Sequence, residues 1–281
     1  MSTTGMLAIS DKDFESLRKI IYDRSGIHFQ DSKRYVLESR LSRRIEELEL
    51  DSFGQYIEFL TMGPYQTEEF QEMFNRITIN ETSFFRNQSQ LDVFESVVLS
   101  KLLEARQSSK RLRIWSAACS SGEEPYSLAM MVHRTLGVRL ADWRVEILGT
   151  DISQKVLTQA TKGVYSDFSF RSVDPTIKTR YFKKTDAGLE IDPSIKQMVV
   201  FEQQNLRDTL KAKRHGIWDV IFCRNVMIYF DDQMKTQTVQ LFYDQLAEDG
   251  VLFIGHSESI RSTNVPFVSI GEAKAFAYHK G

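Results

Sequence analysis

Two cysteines in 281 residues are too few for a disulfide framework, and neither Cys119 nor Cys223 has histidines at ligand spacing, which argues against a zinc site. Each would end a buried strand, a setting for reduced thiols in a cytosolic protein. No apolar run approaches the ~20 residues of a membrane span. The opening MSTTGMLAISDKDFES lacks the positive n-region and apolar core of a secretory leader, so a cytoplasmic location without membrane insertion is expected. Neither sign of charge dominates. A formal net charge of -2 gives no global pull towards nucleic acid or anionic lipid, and any polyanion binding would need a local patch. Internal repeats and low-complexity tracts are missing, as are the G-x-G-x-x-G and G-x-x-x-x-G-K-[ST] phosphate loops. What is present is ordinary globular material, 42% hydrophobic and 26% charged, in a chain long enough for one large domain or two modest ones.

To about Asn87 the pattern is helical. Ser10 and Asp13 resemble a capping box before Phe14, Leu17, Ile20 and Ile21, and Gly26 ends that helix. A second helix from about Asp31 carries the apolar stripe Leu37, Leu41, Ile45 and Leu48. At about 100° per residue, Lys33, Arg40 and Arg44 fall within roughly 40° of one another, with Arg43 alongside, as a basic ridge. Its alternative is a solvated helix face. Shorter helical patterns cover 53–62 and 68–76. From Gln88 a long amphipathic helix (Leu91, Phe94, Val98, Leu102) leads to a turn at 108–110, and the pattern then becomes α/β. Strands are expected over 112–117, 145–150, 198–202, 220–223, 251–255 and 275–279. Helices over 123–136, 154–161 and 233–247 alternate with them, which describes a mostly parallel, doubly wound sheet. The stretch 163–197 is too long for a simple connection, and its pieces 181–185 and 189–191 suggest a small antiparallel hairpin.

In such a sheet ligands bind beyond the carboxyl ends of the strands. The first end, Ala117-Ala118-Cys119-Ser120-Ser121-Gly122, is a loop of small residues opening a helix that begins Glu123-Glu124. A helix N-terminus normally attracts anions, and here two carboxylates already occupy it. A pyrophosphate would meet like charge, whereas the sulfonium and ammonium of S-adenosylmethionine fit. The alternative for both glutamates is favourable interaction with the helix dipole. Asp151 ends the second strand, placed for ribose hydroxyls or as a helix N-cap. Asn205 and Leu206 follow the third and would suit the edge and face of adenine; a turn is the alternative for Asn205. Arg224 and Asn225 follow the fourth, at the depth of a reacting atom, with Tyr229 one turn on and on the same face if the segment is helical. The segment 80–86, NETSFFR, precedes the α/β part; core packing and capping would also account for it.

Together these segments resemble the chemotaxis receptor methyltransferases, the CheR family. The matches are N-x-T-x-F-F-R at 80–86, W-S-A-A-x-S-x-G-E-E-P-Y-S at 115–127, T-D-I at 150–152, F-C-R-N-V-x-I-Y-F at 222–230 and G-H-S-E at 255–258, in family order over essentially the whole chain. The resemblance implies an all-helical N-terminal domain over 1–87 and a class I S-adenosylmethionine-dependent methyltransferase domain over 88–281, Rossmann-like, with a small antiparallel β-subdomain at about 166–197. It implies cofactor contacts from Asn80, Thr82, Arg86, Glu123, Asp151, Asn205, Leu206, Arg224 and Asn225, with Arg86 and Tyr229 facing the methyl-transfer site. The product would be a glutamyl methyl ester on the cytoplasmic helices of chemoreceptors, with S-adenosylhomocysteine released. Cys119 departs from the small residue, often alanine, of the family loop, at little change in bulk.

The chemistry agrees with that reaction. A glutamate side chain, with a reference pKa of ~4.3, is already a nucleophile at neutral pH, so no general base is required and none stands at these strand ends. Lys33, Arg40, Arg43 and Arg44 would then steer acidic receptor helices, and the β-subdomain would be the place for any receptor C-terminal peptide. The rival expectations are a non-catalytic module that senses the cofactor or its product, and a methyltransferase for another substrate. Net charge and the missing N-P-P-Y-like pattern argue against nucleic acid.

Overall fold

In a computed structural model of the protein, described over residues 6–63, 66–78, 80–272 and 274–281, Ser10 caps the first helix by accepting the Asp13 N–H. Residues 1–5, on which part of the no-leader expectation falls, lie outside the described residues. Helix α1 (Asp11–Ser25) buries Phe14, Leu17 and Ile21, and ends at Gly26, whose φ of 77° requires a left-handed residue. Helix α2 (Arg34–Glu47) buries Leu37, Leu41 and Ile45. It is preceded by a separate 3-10 turn, Asp31–Lys33, so Lys33 does not share the helix of Arg40 and Arg44. Helices α3 (Phe53–Met62) and α4 (Gln66–Ile77) complete the set, Ser52 capping the former through the Gln55 N–H.

The chain divides into two units, Met1–Ile79 with Tyr229–Asp231, and Asn80–Ile228 with Asp232–Gly281. Tyr229–Asp231 joins the helical unit by an antiparallel bridge between Ile27 and Phe230 and by the His28 N–H donating to the Tyr229 carbonyl at 2.8 Å.

The second unit begins its regular structure at Gln88. One continuous helical stretch runs Gln88–Val93, Phe94–Leu99 and Ser100–Ala105, its middle third π-helical. Single-period reading expects one apolar stripe there; the wider turn buries both Val98 and Leu99 and sets Phe94 edge-on to Phe222 and Phe253. The strands follow as β1 (Arg111–Ala117), β2 (Arg144–Asp151), β3 (Val164–Tyr165), β4 (Phe182–Thr185), β5 (Gly188–Ile191), β6 (Val199–Gln203), β7 (Trp218–Cys223), β8 (Leu246–Ile254), β9 (Phe267–Ser269) and β10 (Ala277–Lys280). Seven form one sheet in the order β6-β2-β1-β7-β8-β10-β9. Neighbours from β6 to β8 pair in parallel, while β10 runs antiparallel to β8 and β9. This is the expected α/β sheet with one additional strand, β9, too short to show alternation.

Register is what builds the site. Ala117 pairs with Thr150 of β2 and with Cys223 of β7, and Asp151 pairs with Gln203 of β6. Four strands therefore end at one level, and the loops after β1, β2, β6 and β7 emerge side by side. The long helix Glu123–Leu136 returns from the first of them with ten of its residues buried, too many for a one-sided surface helix. The expected hairpin is present as β4 and β5, and β3 adds a third strand before residue 166 in the order β3-β5-β4. Among the described residues no helix is long and apolar enough to cross a membrane, and no His, Cys, Asp and Glu group could hold a metal ion.

Candidate active site

The loop after β1 is wound tightly. Ala118, Ser120 and Gly122 have φ of 63°, 51° and 90°, left-handed conformations that cost a non-glycine residue about 1–3 kcal/mol each. Neighbours hold them there: the Cys119 N–H donates to the Thr150 carbonyl at 2.8 Å, the Ser120 N–H to Asp151 Oδ2 at 2.9 Å, and Ser120 Oγ to the Asn80 carbonyl at 3.1 Å. Gly122 has no alternative, since a Cβ there would lie 2.8 Å from Ala160 Cβ and 3.0 Å from the Phe201 ring. The result is a cradle of bare backbone.

The two glutamates that open the helix have different fates. Glu124 accepts from Ser116 Oγ at 2.7 Å and pairs with Arg224 Nη1 at 3.0 Å, so its charge is neutralised inside the sheet end. Glu123, only 2% exposed, accepts from Ser121 Oγ at 2.7 Å and Ser169 Oγ at 3.0 Å. Among the described residues no cation lies within ion-pair distance of it. Burial pushes its carboxyl above the usual range, opposed by the two hydroxyl bonds and by the more distant charge of Arg171. Its own backbone N–H adds a third hydrogen bond, and a buried carboxylate held by neutral donors alone seeks a cation. The sequence treats the two residues as a pair; the structure leaves one negative charge at the cradle rather than two.

Asp151 is buried, which raises its carboxyl, and takes the Ser120 N–H on Oδ2 and the Ser153 N–H on Oδ1. The helix cap is Ser153, whose Oγ accepts the Val156 N–H, so the N-cap alternative for Asp151 is set aside. Each carboxylate oxygen retains acceptor capacity for a diol. Beyond β6, Asn205 Oδ1 accepts the Arg207 N–H and Leu206 is buried. Both follow Gln204, whose N–H donates to the Asp151 carbonyl.

After β7, buried Arg224 donates Nη1 to Glu124 and Nη2 to the Arg86 carbonyl at 2.6 Å, while its Nε has no partner among the described residues. Asn225 has φ of 61°, and regular winding resumes only in the 3-10 turn Met227–Tyr229. The expected helical face shared by Asn225 and Tyr229 is therefore corrected: a left-handed residue breaks the run. Sequence reasoning missed what holds this turn. Buried Glu258 accepts four backbone N–H groups, from Gly255 (2.6 Å), Asn225 (3.0 Å), Val226 (3.0 Å) and Met227 (2.8 Å). A Cβ at Gly255 would stand 2.7 Å from Glu258 Oε2, so glycine and glutamate of G-H-S-E are one device. The segment 80–86 lies against the same end. Phe84 and Phe85 are buried, the Phe85 N–H donates to Ser127 Oγ at 3.0 Å, and Thr82 presents its carbonyl to Arg171. Arg86 is half-buried and donates Nη1 to the Glu81 carbonyl at 2.9 Å.

The basic ridge does not form one solvated face. Arg44 grips Glu69, a carboxylate only 3% exposed that also accepts from Tyr56 Oη, and Arg40 donates to the carbonyls of Arg76, Ile77 and Thr78 at the end of α4. Lys33 and Arg43 remain exposed, Arg43 with a surface pair to Glu47. Arg40 and Arg44 fasten helices of their own unit because carboxylate and carbonyl acceptors stand opposite them, which no helical wheel of α2 alone displays.

The cradle, the cation-seeking Glu123, the acidic end of β2 and the orphaned Arg224 Nε fit S-adenosylmethionine. Residues 80–276 match a family model described as CheR methyltransferase, SAM binding domain. Fold and cradle thus define the class, an S-adenosylmethionine-dependent methyltransferase. Residues 12–78 match the CheR methyltransferase all-alpha domain. The chain is 38% identical to chemotaxis protein methyltransferase 2 of Vibrio cholerae, over 98% of this chain and 94% of that one. It is 36% identical to the chemotaxis protein methyltransferase of Borreliella burgdorferi over 90% of each, and 35% identical to that of Escherichia coli over 97% and 93%. The chain belongs to the CheR methyltransferase family.

Proposed function

We propose that this enzyme transfers the methyl group of S-adenosylmethionine to glutamate carboxylates on the cytoplasmic helices of chemoreceptors, leaving glutamyl methyl esters and S-adenosylhomocysteine, and that it works in the cytoplasm. The observation that carries the reading is Glu123, a buried carboxylate held by two hydroxyls at the mouth of the β1 cradle. In this reading Glu123 receives the cofactor ammonium, Asp151 the ribose hydroxyls, and Asn205 and Leu206 the adenine. Asn80, Thr82, Arg86, Arg224 and Asn225 line the remaining wall. When bound, the sulfonium supplies an activated methyl group. Arg86 orients the incoming carboxylate and Tyr229 hydrogen-bonds it; holding it too tightly would stabilise the ground state. The residues that directly follow β1, β2, β6 and β7 (118–122, 152–153, 204–206 and 224–226) include no histidine or lysine, and an ionised glutamate needs neither. Positioning of oxygen, methyl and sulfur in line is the main source of rate, up to ~7–11 kcal/mol.

Incubation with methyl-labelled cofactor and a receptor cytoplasmic fragment, then mild alkali, tests the reaction. Label released as methanol is expected; alkali-stable label or none rejects a carboxyl ester. At saturating cofactor, turnover is expected to stay nearly flat from about pH 6.5 to 8.5, and a steep rise through one ionisation would contradict the base-free mechanism.

The helical unit, expected over 1–87 from the sequence but ending at Ile79 in the structure, is the receptor-docking part in this proposal, with Lys33 and Arg43 as its outward charges. Reversing both (Lys33→Glu, Arg43→Glu) is expected to raise the receptor KM several-fold at low salt and to leave S-adenosylhomocysteine affinity alone. A receptor KM equal to wild type at low salt rejects docking through these charges. The insertion presents β4 as an edge strand, a place where a receptor C-terminal peptide would add by strand pairing.

A further inference from the structure

We infer that the three-stranded insertion forms one side of the cofactor site through Ser169 and Arg171, so that cofactor occupancy and the order of the insertion are thermodynamically linked. The proposal rests on the assignment of Glu123 to the cofactor ammonium and goes beyond it. Ser169 belongs to the 3-10 turn Asp167–Phe170, between β3 and β4, and is buried. It works in two directions at once. Its Oγ donates to Glu123 Oε1 at 3.0 Å, and its carbonyl accepts the Phe84 N–H at 2.9 Å. Two residues on, Arg171 donates Nη1 to the Thr82 carbonyl at 3.1 Å and Nη2 to Glu81 at 3.3 Å. The Phe84 ring packs against Tyr165 of β3, Phe170 of the turn and Phe182 of β4, at centroid distances of 4.7, 5.0 and 4.9 Å. Tyr165 Oη closes the circuit on the Ser121 carbonyl at 2.8 Å. The insertion thus touches the cradle loop, the first residue of its helix and the 80–86 segment.

The consequence follows from what Glu123 needs. Its carboxylate is buried, and its ionised form is held by Ser121 and its own backbone N–H from within the cradle, and by Ser169 and the charge of Arg171 from the insertion. When the insertion loosens, two of those four supports leave and the carboxylate becomes a poorer partner for an ammonium. Linkage makes this reciprocal: a cation on Glu123 must oppose opening of the insertion by the same factor. Local opening of small strands is an ordinary low-energy fluctuation, so the coupling has a motion to act on. A peptide pairing with β4 would then raise cofactor affinity as well as hold the receptor.

Calorimetric S-adenosylhomocysteine binding and hydrogen exchange on the full chain test this. Ser169→Ala is expected to weaken S-adenosylhomocysteine roughly tenfold, the loss of one hydrogen bond to a charged group. The fall in affinity on acidification should begin at higher pH in that variant and return towards wild type in Ser169→Thr, a signature that simple loss of packing would not give. The titratable groups whose charges reach Glu123 are Arg171, Tyr165 and Cys119, none altered by either change. In wild type, S-adenosylhomocysteine should slow exchange of the β4 and β5 amides several-fold, an effect lost in Ser169→Ala combined with Arg171→Ala. Unchanged affinity in Ser169→Ala, or β4 and β5 exchange indifferent to S-adenosylhomocysteine, overturns the proposal. If Glu123→Gln itself bound normally, the assignment of Glu123 would fall instead, which separates the two failures.

Discussion

Glu123→Gln is expected to weaken S-adenosylhomocysteine binding more than a hundredfold while making the empty protein more stable at neutral pH. Removing one partner of a buried ion pair costs about 3–5 kcal/mol, the source of the first figure. The second effect has the opposite sign for the same reason. Burial raises the Glu123 carboxyl in the folded protein above its value in the unfolded chain. Between those two values the folded state holds more protons, so stability is full below the unfolded pKa and declines as pH rises through the folded one. At neutral pH, above the unfolded value, the empty wild-type protein therefore carries a stability cost from its buried, cation-less carboxyl that is absent at low pH. Glutamine carries no charge, and Ser121 and Ser169 can each reorient a hydroxyl towards it. Calorimetric melting of the two proteins without ligand should show Glu123→Gln with the higher Tm near neutrality and the gap closing on acidification. Wild-type affinity in the variant, or parallel Tm curves at all pH values, would refute the assignment.

This trade of stability for binding explains why the loop was readable before its geometry was known. Glutamates at a helix start are unremarkable for helix stability, but two of them after a small-residue loop at a strand end are a statement about ligand charge. The strands around them were equally legible, because buried parallel strands show as apolar runs whatever they pair with. What the sequence concealed was partnership across distance. That Arg224 takes Glu124 and leaves Glu123 depends on the parallel register of β1 with β7, which no local pattern encodes. Arg44 read as a surface charge because its acceptor, Glu69, comes from another helix. Asn225 read as helical because left-handed φ in a non-glycine residue has no periodic signature. The β3 strand, two residues long, carries no pattern at all.

The G-H-S-E motif joins the two cases, legible as a resemblance and silent as to role. Its glutamate is the second large effect. Glu258→Ala is expected to lower stability by about 3–5 kcal/mol and to abolish most methyl transfer, although Glu258 is assigned no contact with cofactor or substrate. Four backbone N–H groups converge on its two oxygens, and three of them belong to consecutive residues of the turn that follows β7. Consecutive N–H groups point the same way only when the backbone is bent into an anion-binding concavity, which is how Asn225 comes to hold φ of 61°. Without the carboxylate the donors are left unsatisfied at about 1–3 kcal/mol each, less what water restores. The turn then relaxes, taking Arg224 and Asn225 out of register with Glu124. Glu258→Gln should be nearly as damaging, because an amide replaces one acceptor with hydrogens facing hydrogens. Glu258→Asp shortens the reach and should retain part of both stability and activity. Thermal melting and single-turnover transfer measured on the same preparations check this. A Glu258→Ala protein that melts and turns over like wild type would show the turn to be held by its own backbone.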